Sequence, residues 1–322
     1  MSFVKGARLV RHGESARGAW VLRAGGAQAV VTLPGGDALV VATLGAGAIF
    51  GEMALVESGT CTATVCAIDN LDGWFIERED LRALVAQRAP AALRVQHAVT
   101  LVLSERLREL NRKVLEVACA EDRPAPPAPA PVDPLAGVAR SRRAGFDYRA
   151  FLPRLPFFDT CDEAEIDEIV AGAQLLDLPR GHDVFVPGQP ADACYLVVRG
   201  AVEVRARHAS RERRLAVLGP GQLVGYMSLL ERGAHGALAR AREHALLLEF
   251  PVQVFEALYF GTTAASARLH RAIERSLMQS LARTNRQLTR LLSQSRLRAA
   301  RPVSRQLELA YFSQLWAEEG TA

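Results

Sequence analysis

Apolar residues near the start of the chain fall in short runs, such as Trp20-Val21-Leu22 and Ala38-Leu39-Val40-Val41, broken by Gly13, Gly25-Gly26, Gly35-Gly36, Gly45 and Gly47. From Gly6 to about Phe75 that spacing predicts a compact β-barrel or jelly roll. After Glu79 the period becomes helical. Pro90 to Glu121 reads as one long helix in which Leu103, Leu107, Leu110, Val114 and Val117 follow the 4,3,4,3 rhythm of a coiled-coil seam. Arg123 to Pro134 then carries six prolines among alanines, a composition that stays extended and packs no core. Beyond it, Thr160 and Glu163 form a capping-box pattern ahead of Ile166, Ile169 and Val170, predicting a leading helix. A second β region runs from about Leu175 to Phe250. A second closing helix repeats the seam at Leu277, Leu281, Leu288 and Leu291, interrupted by Thr284.

The two halves are copies. Gly47-Ala48-Ile49-Phe50-Gly51-Glu52-Met53-Ala54-Leu55 matches Gly221-Gln222-Leu223-Val224-Gly225-Tyr226-Met227-Ser228-Leu229 at an offset of 174 residues. Trp20 to Gly25 matches Tyr195 to Gly200 at 175, and Asn111-Arg112 matches Asn285-Arg286 at 174. A duplicated domain is the economical reading. The expected organisation is a first domain at 1–121, a Pro/Ala linker at 122–145, a second domain at 146–298 and an amphipathic tail at 299–322. Only the second copy shows leading-helix signals. Either the start codon is assigned late or the first barrel stands without such helices, and the sequence leaves both open.

Composition narrows the partners. Of 322 residues 49% are hydrophobic, and the net charge is +4, so two ordinary cores are within reach and no polyanion is named. Five cysteines without a CxxC pair fit the reduced thiols of a cytoplasmic protein. No apolar run is long enough to cross a bilayer. The seven histidines are scattered, so no metal is expected, and the absence of a GxSxG elbow, P-loop or GxGxxG argues against an enzyme. No catalytic residue and no resident cofactor follow. Arginines crowd the last helix, among them Arg268, Arg271, Arg275, Arg283, Arg286 and Arg290, as a solvated, salt-bridged surface more than a phosphate footprint.

The glycine and cassette motifs carry a resemblance. In the first copy they are Lys5-Gly6, Gly13-Glu14, Trp20 to Gly25, Leu44-Gly45-Ala46-Gly47 and Phe50 to Leu55. In the second they are Leu178-Pro179-Arg180-Gly181, Gly188-Gln189-Pro190-Ala191-Asp192, Tyr195 to Gly200 and Leu218-Gly219-Pro220-Gly221. Both copies resemble the cyclic nucleotide-binding domain of catabolite activators and protein kinase A regulatory subunits. The resemblance implies a mixed α+β chain of two tandem β-rolls, each followed by a long helix. It also implies a cyclic nucleotide, cyclic AMP or cyclic GMP, as ligand.

By that resemblance the first ligand site comprises Phe50, Gly51, Glu52, Met53, Ala54 and Leu55, then Cys61, Thr62 and Ala63, with Asn111 on the closing helix. Glu52 keeps the ribose role, but Cys61 stands where the family places a phosphate-binding arginine. Losing that charge-assisted contact costs about 2 to 4 kcal/mol, or about thirty- to a thousandfold in affinity. Thr62, Arg11, Arg17 or Arg23 remain as substitutes. The second site comprises Gly225, Tyr226, Met227, Ser228, His235, Gly236 and Asn285, with Tyr226 for the glutamate and His235 for the arginine, and is expected to be empty or repurposed. Asn111 and Asn285 touch a base in one reading and fix helix register in the other.

Expected partners are a second copy, giving a dimer through the long helices, and a protein docking on the tail around Leu307, Leu309, Tyr311, Phe312, Leu315 and Trp316. DNA reading is disfavoured, because too little chain follows Leu297 for a helix-turn-helix. The rival to a sensor is a scaffold whose β-rolls no longer bind ligand.

Overall fold

The computed structural model describes residues 1–32, 38–61, 63–118, 133–141, 148–208 and 211–298. They divide into two compact units, one of Met1–Val117 with the chain from Leu277 onward, the other of Ala118–Ser276.

The first unit opens with strands β1 (Ser2–Phe3), β2 (Arg8–Val10), β3 (Ser15–Ala16), β4 (Gly18–Ala24), β5 (Ala27–Thr32), β6 (Ala38–Leu44) and β7 (Ile49–Phe50). A one-turn helix α1 (Met53–Val56) follows, then β8 (Gly59–Thr60), β9 (Thr64–Ala67), β10 (Leu71–Glu77), α2 (Arg78–Ala86) and α3 (Pro90–Ala118). Two antiparallel sheets, ordered β1-β10-β4-β7 and β2-β9-β5-β6, face each other, and β3 pairs with β8. Their shared core is Trp20, Leu22, Ala27, Phe50, Val65 and Leu71, with Trp20 wedged between Phe3 and Phe75 at 5.1 Å from each ring. A side chain on Gly18 would lie 2.0 Å from the Ile76 carbonyl oxygen, so only glycine lets β4 approach β10 there.

The second unit begins earlier than composition suggested. β11 (Arg140–Ser141) pairs with β12 (Gln174–Leu178), and Leu135 is 1% exposed within the barrel core. Residues 133–141, expected as linker, are therefore part of this unit, because one leucine and one strand pairing outweigh the proline bias around them. Arg140 holds buried Glu249 through two bonds of 2.6 and 3.0 Å. A 3₁₀ turn at Arg149–Arg154 precedes helix α4 (Glu163–Val170). Asp162 caps α4, accepting from Glu165 N–H at 2.8 Å while the Glu165 carboxylate accepts from Asp162 N–H at 3.0 Å. The Thr160/Glu163 box expected two residues earlier is thus displaced: the same x-x-Glu spacing recurs at Asp162, a better cap than threonine.

The barrel continues with β13 (Asp183–Phe185), β14 (Ala193–Arg199), β15 (Val202–His208), β16 (Arg211–Leu218) and β17 (Leu223–Val224). Helix α5 (Tyr226–Leu230), β18 (Leu238–Ala241), β19 (Ala245–Pro251), α6 (Val252–Tyr259) and α7 (Ala264–Arg298) complete it. Its sheets are ordered β11-β12-β19-β14-β17 and β13-β18-β15-β16, the arrangement of the first unit with one strand added.

Leu103, Leu107 and Val114 of α3 are buried, as are Leu277, Leu281 and Leu288 of α7. Val114 and Leu288 form one cluster with Leu110, Val117 and Leu291. The helices run parallel there, because Asn111 meets Thr284 and Val114 meets Leu288. Part of the leucine seam expected to join two copies therefore packs within its own chain, Val114 against Leu288.

Candidate functional site

In the first cassette β7 ends at Phe50 and the chain turns through Gly51 at φ +74°, a left-handed conformation that favours glycine. Helix α1 then starts, with Ala54 N–H donating to the Gly51 carbonyl at 3.0 Å and Leu55 N–H to the Glu52 carbonyl at 3.1 Å. Ala54 and Leu55 point into the core and Met53 is half-buried. The Glu52 side chain is 0% exposed. It meets one cation, Arg106 on α3, as an ion pair, yet neither carboxylate oxygen has a donor at hydrogen-bonding angle among the described residues. At its far end α1 is held by α2, where Arg78 Nη1 donates to the Ala54 carbonyl at 3.4 Å and Arg82 Nη2 to that of Val56 at 3.0 Å. The cassette is tied to both following helices.

Cys61 lies half-buried beside Glu14, accepting from Gly13 N–H and donating its own N–H to the Glu14 carbonyl, both at 2.8 Å. Burial, and then the Glu14 charge, push its thiol pKa up, so the group stays neutral. Where the resemblance implies a guanidinium, the chain has a neutral thiol and a nearby carboxylate. Ala63 is buried, and Thr62 lies outside the described residues. Arg11 pairs with Glu14 at 3.9 Å and Arg23 with Asp72 at 2.7 Å. Two of the substitute cations are thereby directed to carboxylates. Arg106 was not legible in advance, since it sits between the seam residues Leu103 and Leu107 and nothing in its spacing ties it to position 52.

In the second cassette Gly225 takes φ +85°, and a side chain there would lie 3.1 Å from Phe185 and 3.3 Å from His235. Tyr226 is buried and its hydroxyl donates to Ser276 Oγ on α7 at 3.1 Å. Ser228 is buried, Met227 half-buried and Gly236 exposed. His235 is 2% exposed, stacked on Phe185 with centroids 3.7 Å apart and planes 8° apart. Its backbone bridges Gly188 and Gln189, and its Nε2 lacks a hydrogen-bond partner among the described residues. Burial pushes its pKa down to about 4. The imidazole is therefore neutral near pH 7 and offers a phosphate no charge. Phe185 was missed as the ring that holds it.

Asn111 accepts from Thr284 Oγ1 at 3.2 Å, and Asn285 is half-buried on α7. On α7, Arg268 pairs with Glu165 at 3.1 Å and Arg275 with Asp159 at 3.4 Å, so part of its arginine density is spent on salt bridges. Among the described residues no group of His, Cys, Asp and Glu is arranged to hold a metal, and no helix is long and apolar enough to cross a membrane.

Two β-rolls, each with a glycine-led cassette and a closing helix, define a fold class, and comparison with known proteins identifies it. The profile of the Cyclic nucleotide-binding domain matches residues 1–88 and 175–261, and the chain belongs to that family. A Cyclic AMP receptor protein of Thermus thermophilus is 39% identical over 94 residues, 29% of this chain and 44% of its own length. A CRP-like cAMP-activated global transcriptional regulator of Mycobacterium tuberculosis is 32% identical over 83 residues, 26% of this chain and 37% of its own. The chain thus spans less than half the length of these curated relatives. Among solved structures, the regulatory domain of Toxoplasma gondii PKA with cAMP aligns over 84% of this chain and 82% of its own, at 15% identity and a TM-score of 0.33.

Proposed function

We propose that this chain is a non-enzymatic cytoplasmic regulator whose first domain takes a cyclic nucleotide, cyclic AMP or cyclic GMP, weakly and passes the event to α3, while its second domain has given up ligand. The observation that carries this is the contact of fully buried Glu52 with Arg106. A buried carboxylate without good hydrogen bonds is an unfilled acceptor for ribose hydroxyls, and its counter-ion is a guanidinium that suits a phosphate. Arg106 thus brings to the cassette the charge that Cys61 lacks. A nucleotide that draws Arg106 away from Glu52 changes how α3 is held, and α3 is paired with α7 through Val114 and Leu288. The cAMP-activated relatives support the ligand class.

Calorimetry of the full chain with cyclic AMP and cyclic GMP tests the reading. Binding near the millimolar range, lost in Arg106→Gln, is expected; no heat at millimolar ligand for either nucleotide overturns it. A scaffold reading is favoured by the second cassette, where Tyr226 and neutral His235 occupy both anchor positions. There the helices and the tail around Trp316 would dock a protein partner or a second copy, and truncation of the tail would abolish assembly while nucleotide changes nothing. Retention on a polyanion column with steep salt dependence would instead point to nucleic acid.

A further inference from the structure

Glu52 is 0% exposed while its counter-ion Arg106 is 44% exposed, so the pair has a buried end and a solvent end. Neither Glu52 oxygen has a donor at hydrogen-bonding angle among the described residues, which leaves two charged acceptors side by side on one carboxylate. Burying such a group without donors is costly, so O–H groups brought to it are favoured.

Cys61, where the resemblance implies a guanidinium, supplies no second cation. Burial and then Glu14 keep its thiol neutral, and no arginine among the described residues acts on it. Arg11 is directed to Glu14 itself, at 3.9 Å. A 3′,5′-cyclic nucleotide would bring a further negative charge, so Arg106 would have to serve both its phosphate and Glu52. An uncharged ligand leaves Arg106 to Glu52 alone. The hydroxyls point the same way. In a 3′,5′-cyclic nucleotide the 3′ oxygen is esterified and only the 2′ hydroxyl can donate, whereas a ribonucleoside has a free 2′,3′ cis-diol with one O–H for each carboxylate oxygen.

We propose that the first cassette takes an uncharged ribonucleoside, bound by its 2′,3′ cis-diol on Glu52, in preference to the cyclic nucleotide of the same base. This rests on Glu52 as the ribose acceptor of the proposed function, but not on a phosphate reaching Arg106. The second hydroxyl adds one hydrogen bond to a charged group, which raises affinity by about ten- to a hundredfold. Arg106 keeps its place as counter-ion at the solvent end of the pair, so no buried charge is left unpaired when the ligand enters.

Calorimetry of the full chain compares adenosine and guanosine with cyclic AMP and cyclic GMP, then with the 2′-deoxy and 3′-deoxy forms of whichever nucleoside binds. At least one ribonucleoside should bind about tenfold or more tightly than its own cyclic monophosphate, and loss of either hydroxyl should weaken it by about tenfold. Cys61→Arg should narrow that gap by strengthening the cyclic nucleotide while the nucleoside stays as it was. Equal or tighter binding of the cyclic nucleotide to the unaltered chain overturns the proposal and leaves the proposed function standing. Nucleoside binding that is indifferent to both hydroxyls overturns it as well, because the diol is then not held by Glu52. No heat from any of the four ligands overturns both readings together.

Discussion

Thr284 on α7 donates its hydroxyl hydrogen to Asn111 Oδ1 on α3 at 3.2 Å, one turn before Val114 meets Leu288. The two positions differ by 173 and the apolar pair by 174, close to the spacing of the sequence repeat. Residues that are equivalent in the two copies thus lie opposite each other. A polar pair inside an apolar seam fixes register, since any slip leaves both groups unsatisfied. Asn111→Ala and Thr284→Val should each lower stability by about 1 kcal/mol, and a double-mutant cycle in urea should show them coupled by about 0.5 to 1 kcal/mol. Independent effects would mean that the bond does not form.

Glu52 and Arg106 predict an asymmetry between single variants. Arg106→Gln leaves a carboxylate buried without its counter-ion, destabilising the chain by about 1 to 3 kcal/mol after allowance for the 44% exposure of the arginine. Glu52→Gln is expected to be milder, because it removes the buried charge itself. The double variant should be more stable than Arg106→Gln alone in a denaturant midpoint measurement.

Much of this architecture was legible in the sequence, and for physical reasons. Glycines at left-handed positions such as Gly51 and Gly225, and apolar residues at 4,3 spacing, report local geometry and appear directly as cassette turns and buried seams. Long-range choices did not show. Arg106 reaches Glu52 across 54 positions, Tyr226 reaches Ser276 across 50, and Leu135 joins a barrel from within a proline-rich stretch. Each depends on where a chain returns in space, which periodicity does not encode. The misplaced cap at Thr160 is a local failure of another kind, since two overlapping x-x-Glu patterns competed and only packing selected Asp162.

His235 makes the fold acid-sensitive. Its folded pKa, about 4, lies below the ordinary value of 6.5, so the unfolded chain binds the proton more readily. Its contribution to stability is fully present above about pH 6.5, falls as the pH drops, and levels off below about 4, a total near 3 kcal/mol. His235→Phe, which keeps a ring against Phe185, should flatten the denaturation profile between those limits. A profile with the same slope would show that another group titrates there.

Tyr226→Phe removes the hydroxyl that reaches Ser276 Oγ, which should cost about 1 kcal/mol and loosen α5 from α7. Hydrogen exchange across 226–230 should quicken while β18 stays protected. If the second cassette plays no part in holding α7, exchange there will not change.

Restoring the family's arginine should have opposite consequences in the two copies. Cys61 is half-buried with Glu14 beside it, so Cys61→Arg places a guanidinium where it is partly solvated and near a carboxylate. Affinity of the first cassette for a cyclic nucleotide should rise by about ten- to a hundredfold in calorimetry, somewhat less than an unopposed charge would give because Glu14 competes for it. His235 is stacked flat on Phe185 with 2% exposure, and Tyr226 occupies the neighbouring anchor position. His235→Arg must bury a charge against the Phe185 ring, and the expected result is a loss of stability with no gain in binding. A gain in both variants would mean that the second cassette is open to ligand after all, and a gain in neither would mean that Arg106 alone cannot position a nucleotide against Glu52.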